Sequence, residues 1–175
     1  MERRADSVTL ARNVCLGLGS NLGDRNAHLR QAVKALLPKV IVVRLSAVYD
    51  TAPVLVTDQP RFHNIVAMCD TTLDPHALLA YVKRIEMDLG RVPGTRYGPR
   101  VIDVDILIYG QIVLETPDLT IPHPRLVERG FVLAPLAEIA PDLRHPVLGL
   151  TMRELASVVA QQDVRAIGPL FETGR

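Results

Sequence analysis

The residues best suited to catalysis lie close together in residues 91–105. The first part of this stretch, residues 91–100, holds three arginines among glycines and prolines, which predicts a loop that presents positive charge. The second part, residues 101–109, is an aliphatic run that contains two acids, which predicts a strand. Acids for a metal ion beside arginines for phosphate indicate a site that handles phosphate groups.

The two acids, Asp103 and Asp105, are expected to point to the same face of the strand. Side chains alternate along a strand, so two residues of this spacing stand about 6.6–6.8 Å apart. Carboxylates in so apolar a strand need a compensating charge, and Mg²⁺, held by one or two carboxylates plus substrate phosphates, would supply it. The alternative is an edge strand with a solvated polar face, which the neighbouring arginine loop makes less attractive. The opposite, core-facing side of the strand would consist of Ile102, Val104, Ile106 and Ile108.

Length and composition indicate one globular domain. The 175 residues are 48% hydrophobic and 22% charged, which is ordinary for a globular protein. A net charge of +1 lacks the basic bias of nucleic-acid-binding proteins, and no apolar run approaches the ~20 residues of a membrane span. Two cysteines in apolar runs and no secretory signal predict reduced, buried thiols in a cytoplasmic protein. Residues 1–12 are expected to be a disordered extension before a single domain over residues 13–175.

The order of the predicted elements indicates an α+β fold. It runs strand, helix, strand, strand, helix, strand, which is typical of a ferredoxin-like plan: a mainly antiparallel sheet with helices packed on it in three layers, α-β-α. Asp74 and Pro75 predict the start of the second helix, and Gly90 its end. The strands are expected at residues 14–18, 40–48, 62–71 and 101–109.

The remaining segments are predicted with shorter elements. Residues 50–61 are expected to form a long loop, and residues 112–114 a return strand after a turn at Gly110. A helix is predicted over residues 131–139, and a capping box that begins at Thr151 predicts a last helix to about Val159. The glycine-rich stretch after the first strand matches no phosphate-loop motif and predicts either a tight turn or a lining of the site.

Four kinds of side chain outside the acidic strand are further candidates. Phe62 and Phe131 would suit the two faces of a flat heterocycle, with the amide of Asn64 at its edge, although spacing alone favours core roles for both rings. His123 stands between two prolines, which would aim it at a phosphate; the alternative is simple exposure. Glu86 either points to the site or lies on a solvated helix face. The histidines lack the spacing of zinc ligands.

Several of these segments together resemble one family, the 6-hydroxymethyl-7,8-dihydropterin pyrophosphokinases of folate biosynthesis. The matching segments occur in family order over about residues 14–145. Segments 18–23, 58–64, 84–86 and 90–91 match. The most specific signal is Gly98-Pro99-Arg100-Val101-Ile102-Asp103-Val104-Asp105-Ile106-Leu107, followed by Ile121-Pro122-His123-Pro124-Arg125 and by Arg129-Gly130-Phe131.

This resemblance implies transfer of pyrophosphate from ATP to the hydroxymethyl group of the pterin, with release of AMP. It implies that Asp103 and Asp105 bind two Mg²⁺ ions, which bridge the ATP phosphates and the acceptor hydroxyl. Arg91 and Arg100 are expected to act at the phosphates, Arg91 from a loop that closes on the substrates. These four residues are the expected catalytic set. The hydroxyl proton would go to Asp105 or leave without a protein base.

The resemblance also assigns binding residues. The protein is expected to be a monomer with small-molecule partners alone, ATP and the pterin. The expected ATP contacts are Lys83, Glu86, Arg91, Arg100, Ile106 through its backbone, Thr120, His123 and Arg129. The expected pterin contacts are Thr51, Pro53, Val54, Phe62, Asn64 and Phe131, with the two rings on either side of the pterin.

Some positions depart from the family pattern, and two other functions fit part of it. Pro93 stands where many members have a loop arginine, a role that Arg96 is a candidate to take over, and Tyr97 stands where tryptophan is common. Phe62 and Pro124 each replace a tyrosine of some members. One alternative function is a ferredoxin-like ligand-binding or regulatory module, which leaves the paired acids unexplained. The other is a Mg²⁺-dependent nucleotidyltransferase or phosphohydrolase that uses the same two acids.

Overall fold

An antiparallel sheet of six strands forms the centre of the protein in a computed structural model, which describes residues 10–54, 57–92 and 98–172. Its order is β5-β1-β4-β3-β8, and β2 also pairs with β4. A separate pair, β6 with β7, is antiparallel as well. The strands are β1 Ala11–Ser20, β2 Val40–Leu45, β3 Val48–Thr51, β4 Phe62–Thr71, β5 Asp103–Tyr109, β6 Leu114–Glu115, β7 Thr120–Ile121 and β8 Val164–Gly168.

In the described part of the chain, four α-helices cover the sheet, and three of them begin at a side-chain cap. The Asp24 and Asp74 carboxylates each accept a backbone N–H at 2.9 Å, from Ala27 and Ala77. Thr151 opens the last helix with the predicted capping box, because its hydroxyl and a downstream carboxylate each accept the other's backbone N–H. The helices are α1 Arg25–Ala35, α2 Pro75–Asp88, α3 Gly130–Ile139 and α4 Met152–Val158.

The two faces of the sheet bury two separate cores. On one face, Leu29 of α1 and Leu78 of α2 pack with Leu16, and all three are fully buried. On the other face, Leu133 and Leu136 of α3 belong to a second core that also takes in α4. Helices therefore lie on both sides of a mainly antiparallel sheet, which confirms the predicted three-layer α+β fold.

A bulge in β5 changes the predicted core face of this strand. Cys15 of β1 pairs with Ile108, but the next residue, Leu16, pairs with Ile106, so Leu107 has no partner of its own in β1. As a result Ile108 joins the core of α3 and α4, although the other three predicted residues, from Ile102 to Ile106, belong to the core of α1 and α2. The prediction that Ile108 shares their face is wrong.

The shorter elements differ most from prediction. The strand expected over residues 40–48 is two strands, because Ser46 between them bonds Val66 through its backbone N–H (3.0 Å) and its hydroxyl (2.9 Å). The return strand expected at residues 112–114 begins at Leu114 and pairs with β7. The loop expected from residue 50 starts later, because β3 extends to Thr51. Strand β8 is not predicted, since its mostly exposed side chains leave no apolar alternation to detect.

The N-terminal strand begins earlier than expected. Ala11 and Arg12 lie in β1, and Ala11 pairs with Thr71, so the predicted disordered extension does not include these two residues. Residues 1–9 lie outside the described part of the chain. In the described ranges, the structure has no helix that combines the length and the apolar character of a membrane span.

The two cysteines provide a direct test of the core. Both are free thiols with no exposed surface, as predicted, and burial raises the pKa of each to about 12. Because the thiolate is the reactive form, we expect neither Cys15 nor Cys69 to react with an aromatic disulfide reagent at pH 8 while the protein is folded. Both should react in denaturant. Labelling of the native protein at the rate of free cysteine would contradict the burial.

Candidate functional site

A pocket with a volume of about 440 Å³ opens on the α3 side of the sheet. Its floor is formed by neighbouring strands β5, β1 and β4, and its walls come from β3, the segment that follows β7, and α3. It brings together residues distant in the chain. Thirteen of the residues proposed from the sequence line it: Thr51, Pro53, Val54, Phe62, Asn64, Lys83, Arg91, Arg100, Asp103, Asp105, His123, Arg129 and Phe131.

Three predicted ATP contacts do not line the pocket: Glu86, Ile106 and Thr120. Ile106 has its side chain buried in the core at 3% exposure, which is compatible with the expected contact through its backbone alone. Thr120 lies in β7 and is half-buried. Glu86 lies behind the pocket and contacts two of the side chains that line it, Lys83 and Arg91.

Asp103 is neutralised by two arginines. Its Oδ1 lies 2.5 Å from Arg91 Nη1, and its Oδ2 lies 2.6 Å from Arg100 Nη1. Burial acts to raise the pKa of Asp103, but the positive charges of Arg100, Arg91 and Lys83 outweigh burial and hold the pKa below its ordinary value. The compensating charge that the sequence requires is thus supplied here by side chains.

Glu86 is a second buried acid that binds the same cations. It accepts hydrogen bonds from Lys83 Nζ at 2.8 Å and from the Val104 backbone N–H at 2.6 Å, and it also bonds Arg91. Its side chain is 3% exposed, so the alternative of a solvated helix face is wrong. Burial raises the pKa of Glu86, against the opposing effect of the Lys83 charge.

Asp105 is held less tightly than Asp103. Its carboxylate lies 3.8 Å from Lys83 Nζ, and 37% of its side chain is exposed into the pocket. Desolvation by the surrounding walls and the negative charge of Asp103 both raise the pKa of Asp105. This strand therefore presents one strongly paired carboxylate and one that is available to a cation.

His123 is fixed as a hydrogen-bond donor to the pocket. Its backbone N–H bonds the Leu107 carbonyl at 2.8 Å, and its Nδ1 accepts the Arg125 backbone N–H at 3.1 Å. The neutral ring therefore carries its proton on Nε2. Burial lowers the pKa of His123, and the nearby arginines act in the same direction, so the neutral donor form is favoured near pH 7.

The two phenylalanine rings line the pocket, and each has an arginine nearby. The Arg100 guanidinium lies 5.9 Å from the centre of the Phe62 ring, and the Arg129 guanidinium lies 5.5 Å from that of Phe131. Both side chains are half-buried, and Phe131 also packs against the core of α3 and α4. Neither ring is a fully buried core residue.

Asn64 depends on Gly19, which belongs to the glycine-rich stretch that was predicted to be either a tight turn or a lining of the site. Gly19 lies inside β1, opposite Asn64 in β4 and Asp103 in β5. A Cβ atom on Gly19 would come within 2.5 Å of the Asn64 Oδ1 atom. Asn64 is 8% exposed and donates from Nδ2 to the Thr51 hydroxyl at 2.7 Å. The glycine therefore provides the room in which this amide sits.

Asn21 was given no role by the sequence analysis, yet it ties the arginine segment to the pocket wall. Its Oδ1 accepts the Arg100 backbone N–H at 2.8 Å, and its backbone N–H bonds the Arg100 carbonyl at 3.2 Å. Its Nδ2 donates to Gln59 Oε1 and to the Pro60 carbonyl. A polar residue directly after an apolar strand was the available signal.

The predictions for Pro93, Arg96 and Tyr97 concern residues that lie outside the described part of the chain.

Gly19→Ala tests the link between this glycine and Asn64. The added methyl group displaces the Asn64 amide, so we expect a loss of about 1–3 kcal/mol in the free energy of unfolding and weaker binding at this end of the pocket. Gly17→Ala in the same strand is the matched control, because its Cβ would meet only the flexible Leu107 side chain, at 3.3 Å. Equal unfolding midpoints for the two variants would contradict this account.

Comparisons with known proteins identify the family. The model of the family described as 7,8-dihydro-6-hydroxymethylpterin-pyrophosphokinase (HPPK) matches residues 15–141. The 2-amino-4-hydroxy-6-hydroxymethyldihydropteridine pyrophosphokinase of Methylorubrum extorquens is 50% identical over 141 residues, 79% of this chain and 88% of that protein. The Bacillus subtilis protein of the same name is 49% identical over 127 residues, 71% of this chain and 75% of that protein.

Longer proteins match as well. The pea protein named "Folate synthesis bifunctional protein, mitochondrial" is 50% identical over 72% of this chain, which spans 25% of its length. A Plasmodium falciparum HPPK-DHPS structure with pteroate has a TM-score of 0.70 at 18% identity, and the match covers 89% of this chain and 44% of that one. At this identity the likeness concerns the fold. Because the family model matches residues 15–141, which are most of this chain, the chain belongs to the 6-hydroxymethyl-7,8-dihydropterin pyrophosphokinase family.

Proposed function

We propose that the protein transfers pyrophosphate from ATP to the hydroxymethyl group of 6-hydroxymethyl-7,8-dihydropterin and releases AMP, as a step of folate biosynthesis. The acceptor hydroxyl oxygen bonds to the β-phosphorus of ATP as the bond to the α-phosphate oxygen breaks. The observation that supports this function best is that one pocket has two chemically different ends. The acids Asp103 and Asp105 lie at one end, on β5, and Asn64 and Phe62 lie at the other, on β4, with Arg100 near Phe62 and Arg129 near Phe131.

The aromatic end suits the pterin. Phe62 and Phe131 are proposed to contact the two faces of the ring system, and Asn64 to bond its edge through the amide atoms. The side chain of Asn64 is held by Thr51, so its orientation is set before a ligand arrives. Pro53 and Val54 line the same end and are proposed to complete the pterin contacts.

The charged end suits the phosphates of ATP. Transfer of a phosphoryl or pyrophosphoryl group depends on charge neutralisation and on in-line positioning more than on a protein nucleophile. Arg91, Arg100, Arg129 and His123 line the pocket and are proposed to bind phosphate oxygens. Lys83 also lines the pocket and is a further proposed ATP contact, and Glu86, Thr120 and the backbone of Ile106, which lie outside the lining, complete the proposed set.

Asp103 and Asp105 are proposed to hold two Mg²⁺ ions. Within residues 10–54, 57–92 and 98–172 there is no cluster of three or more acidic, histidine or cysteine side chains for a metal. Two carboxylates on one strand face nevertheless fit Mg²⁺, which completes its ligands with water and substrate phosphates. Bound Mg²⁺ would neutralise phosphate charge during transfer. The hydroxyl proton is proposed to pass to Asp105 or to leave without a protein base.

Binding of a metal at Asp103 requires that an arginine release it. Arg91 now contacts both Asp103 and Glu86. With a metal at Asp103, the Arg91 guanidinium would be available to the phosphates. The single domain over residues 13–175, the monomeric state and the cytoplasmic location stay predictions.

One assay separates the proposed function from its alternatives. The protein is incubated with ATP and Mg²⁺, with and without 6-hydroxymethyl-7,8-dihydropterin, and the nucleotides are separated by chromatography. We expect AMP that appears only when the pterin is present. ADP or inorganic phosphate would indicate a phosphohydrolase, pyrophosphate release a nucleotidyltransferase, and binding without any product a ligand-binding module.

Asp103→Asn and Asp105→Asn test the metal assignment. Each removes one anionic ligand at constant shape, so we expect the rate of AMP formation to fall by about 100-fold or more with circular dichroism unchanged. Asp142→Asn is the matched control, because this carboxylate is 86% exposed and does not line the pocket. Near-normal turnover in both variants would overturn the assignment of these acids to Mg²⁺.

A further inference from the structure

The segment that follows α4 is bonded to the start of α3, close to the pocket. Gln162 lies beyond the matched residues 15–141. Its Oε1 accepts the Gly130 backbone N–H at 2.8 Å, and its Nε2 donates to the Glu128 carbonyl at 2.9 Å. The side-chain amide thus bonds the backbone on both sides of Arg129, at Glu128 and at Gly130. Gly130 directly precedes Phe131.

The start of α3 has no cap of its own. Arg129 occupies the N-cap position and makes no side-chain capping bond, unlike the caps of α1, α2 and α4. Gln162 instead supplies an acceptor for the backbone N–H of Gly130, the first residue of the helix, which has no partner within the helix. The contact is close, because a Cβ atom on Gly130 would lie 2.9 Å from Gln162 Oε1.

The next residue, Asp163, bonds Arg61, just before β4, and Ala52, just after β3. The Asp163 carboxylate lies 2.7 Å from Arg61 Nη1, and the Asp163 carbonyl accepts the Ala52 backbone N–H at 3.4 Å. Arg61 directly precedes Phe62. Two consecutive residues, Gln162 and Asp163, therefore contact the segments that present the two rings of the pocket.

The ring of Phe131 is not fixed by packing on all sides. A second cavity of about 200 Å³ is lined by Phe131, Thr51, Pro53, Gln162, Asp163 and Val164. Open space beside a side chain removes the contacts that would restrict it. The position of the ring then depends on where the backbone at the start of α3 is held, which is where Gln162 bonds it.

We propose that Gln162 is a positioning residue that holds Arg129 and Phe131 in place for the substrates, and that Asp163 fixes the spacing between this wall and that of Phe62. The inference rests on the proposed function, since it assigns Phe131 to the pterin. Gln162 itself does not line the larger pocket and acts through the backbone that it bonds.

Gln162→Ala removes both hydrogen bonds. We expect KM for the pterin to rise about 5- to 20-fold, because two ordinary hydrogen bonds are lost. The kcat should stay within about threefold of wild type. Hydrogen exchange of the Gly130 amide, followed by NMR, should accelerate about tenfold or more, because its acceptor is lost. Gln162→Glu keeps an acceptor for Gly130 but no donor for Glu128, and should give an intermediate KM.

Gln161→Ala is the matched control, because Gln161 is the exposed neighbour of the same residue type, and both readouts should stay at wild-type values. A wild-type KM in Gln162→Ala overturns the proposal. So does a lower kcat at unchanged KM, which indicates only a smaller folded fraction. If Gln162→Ala does not fold, Gln162→Glu decides by the same readouts. Wild-type protein without pterin-dependent AMP would refute the proposed function instead, whereas Gly130 exchange would still test the Gln162 contacts.

Discussion

Charge compensation around Asp103 is the constraint on which the site depends. Three acids form ion pairs with three cations here. The acids are Asp103 and Asp105 of β5 and Glu86 of α2, and the cations are Lys83 of α2, Arg91 after it and Arg100 before β5. Half-buried and buried carboxylates are costly without such partners. The arrangement joins α2, β5 and the arginine segment, so the charged side chains of the pocket also fix the elements that surround it.

The register of the central strand decides which side chains meet above this charge cluster. Gly19 pairs with Asp103 on one side and Asn64 on the other, and Gly17 pairs with Asp105 and Val66. Without side chains on β1 between them, the acidic strand and the amide strand share one open floor. An acidic end and an aromatic end therefore lie within one pocket, because the strand between them carries glycine.

The sequence predicts this site where its chemistry is local and fails where it depends on distant contacts. Alternation along a strand places Asp103 and Asp105 on one face, and the structure has both on the pocket floor. The same rule misplaces Ile108, because a bulge is set by pairing with β1. Gln162 gives no sequence signal, since its partners at Glu128 and Gly130 lie more than 30 residues away.

The balance of charge also explains how the proposed substrates would enter. Among the described residues, the pocket is lined by five cationic side chains, Lys83, Arg91, Arg100, Arg125 and Arg129, and by two acids, Asp103 and Asp105, so its net charge favours anionic phosphates over free Mg²⁺. ATP together with two Mg²⁺ ions is itself close to neutral, and it offers cations to the acids and phosphates to the arginines. Exchange of partners then replaces each ion pair with another and leaves no buried charge unpaired. An arginine such as Arg91, shared between Asp103 and Glu86, keeps one acid partner when it releases the other. The exchange therefore does not require this cation to pass through an unpaired state.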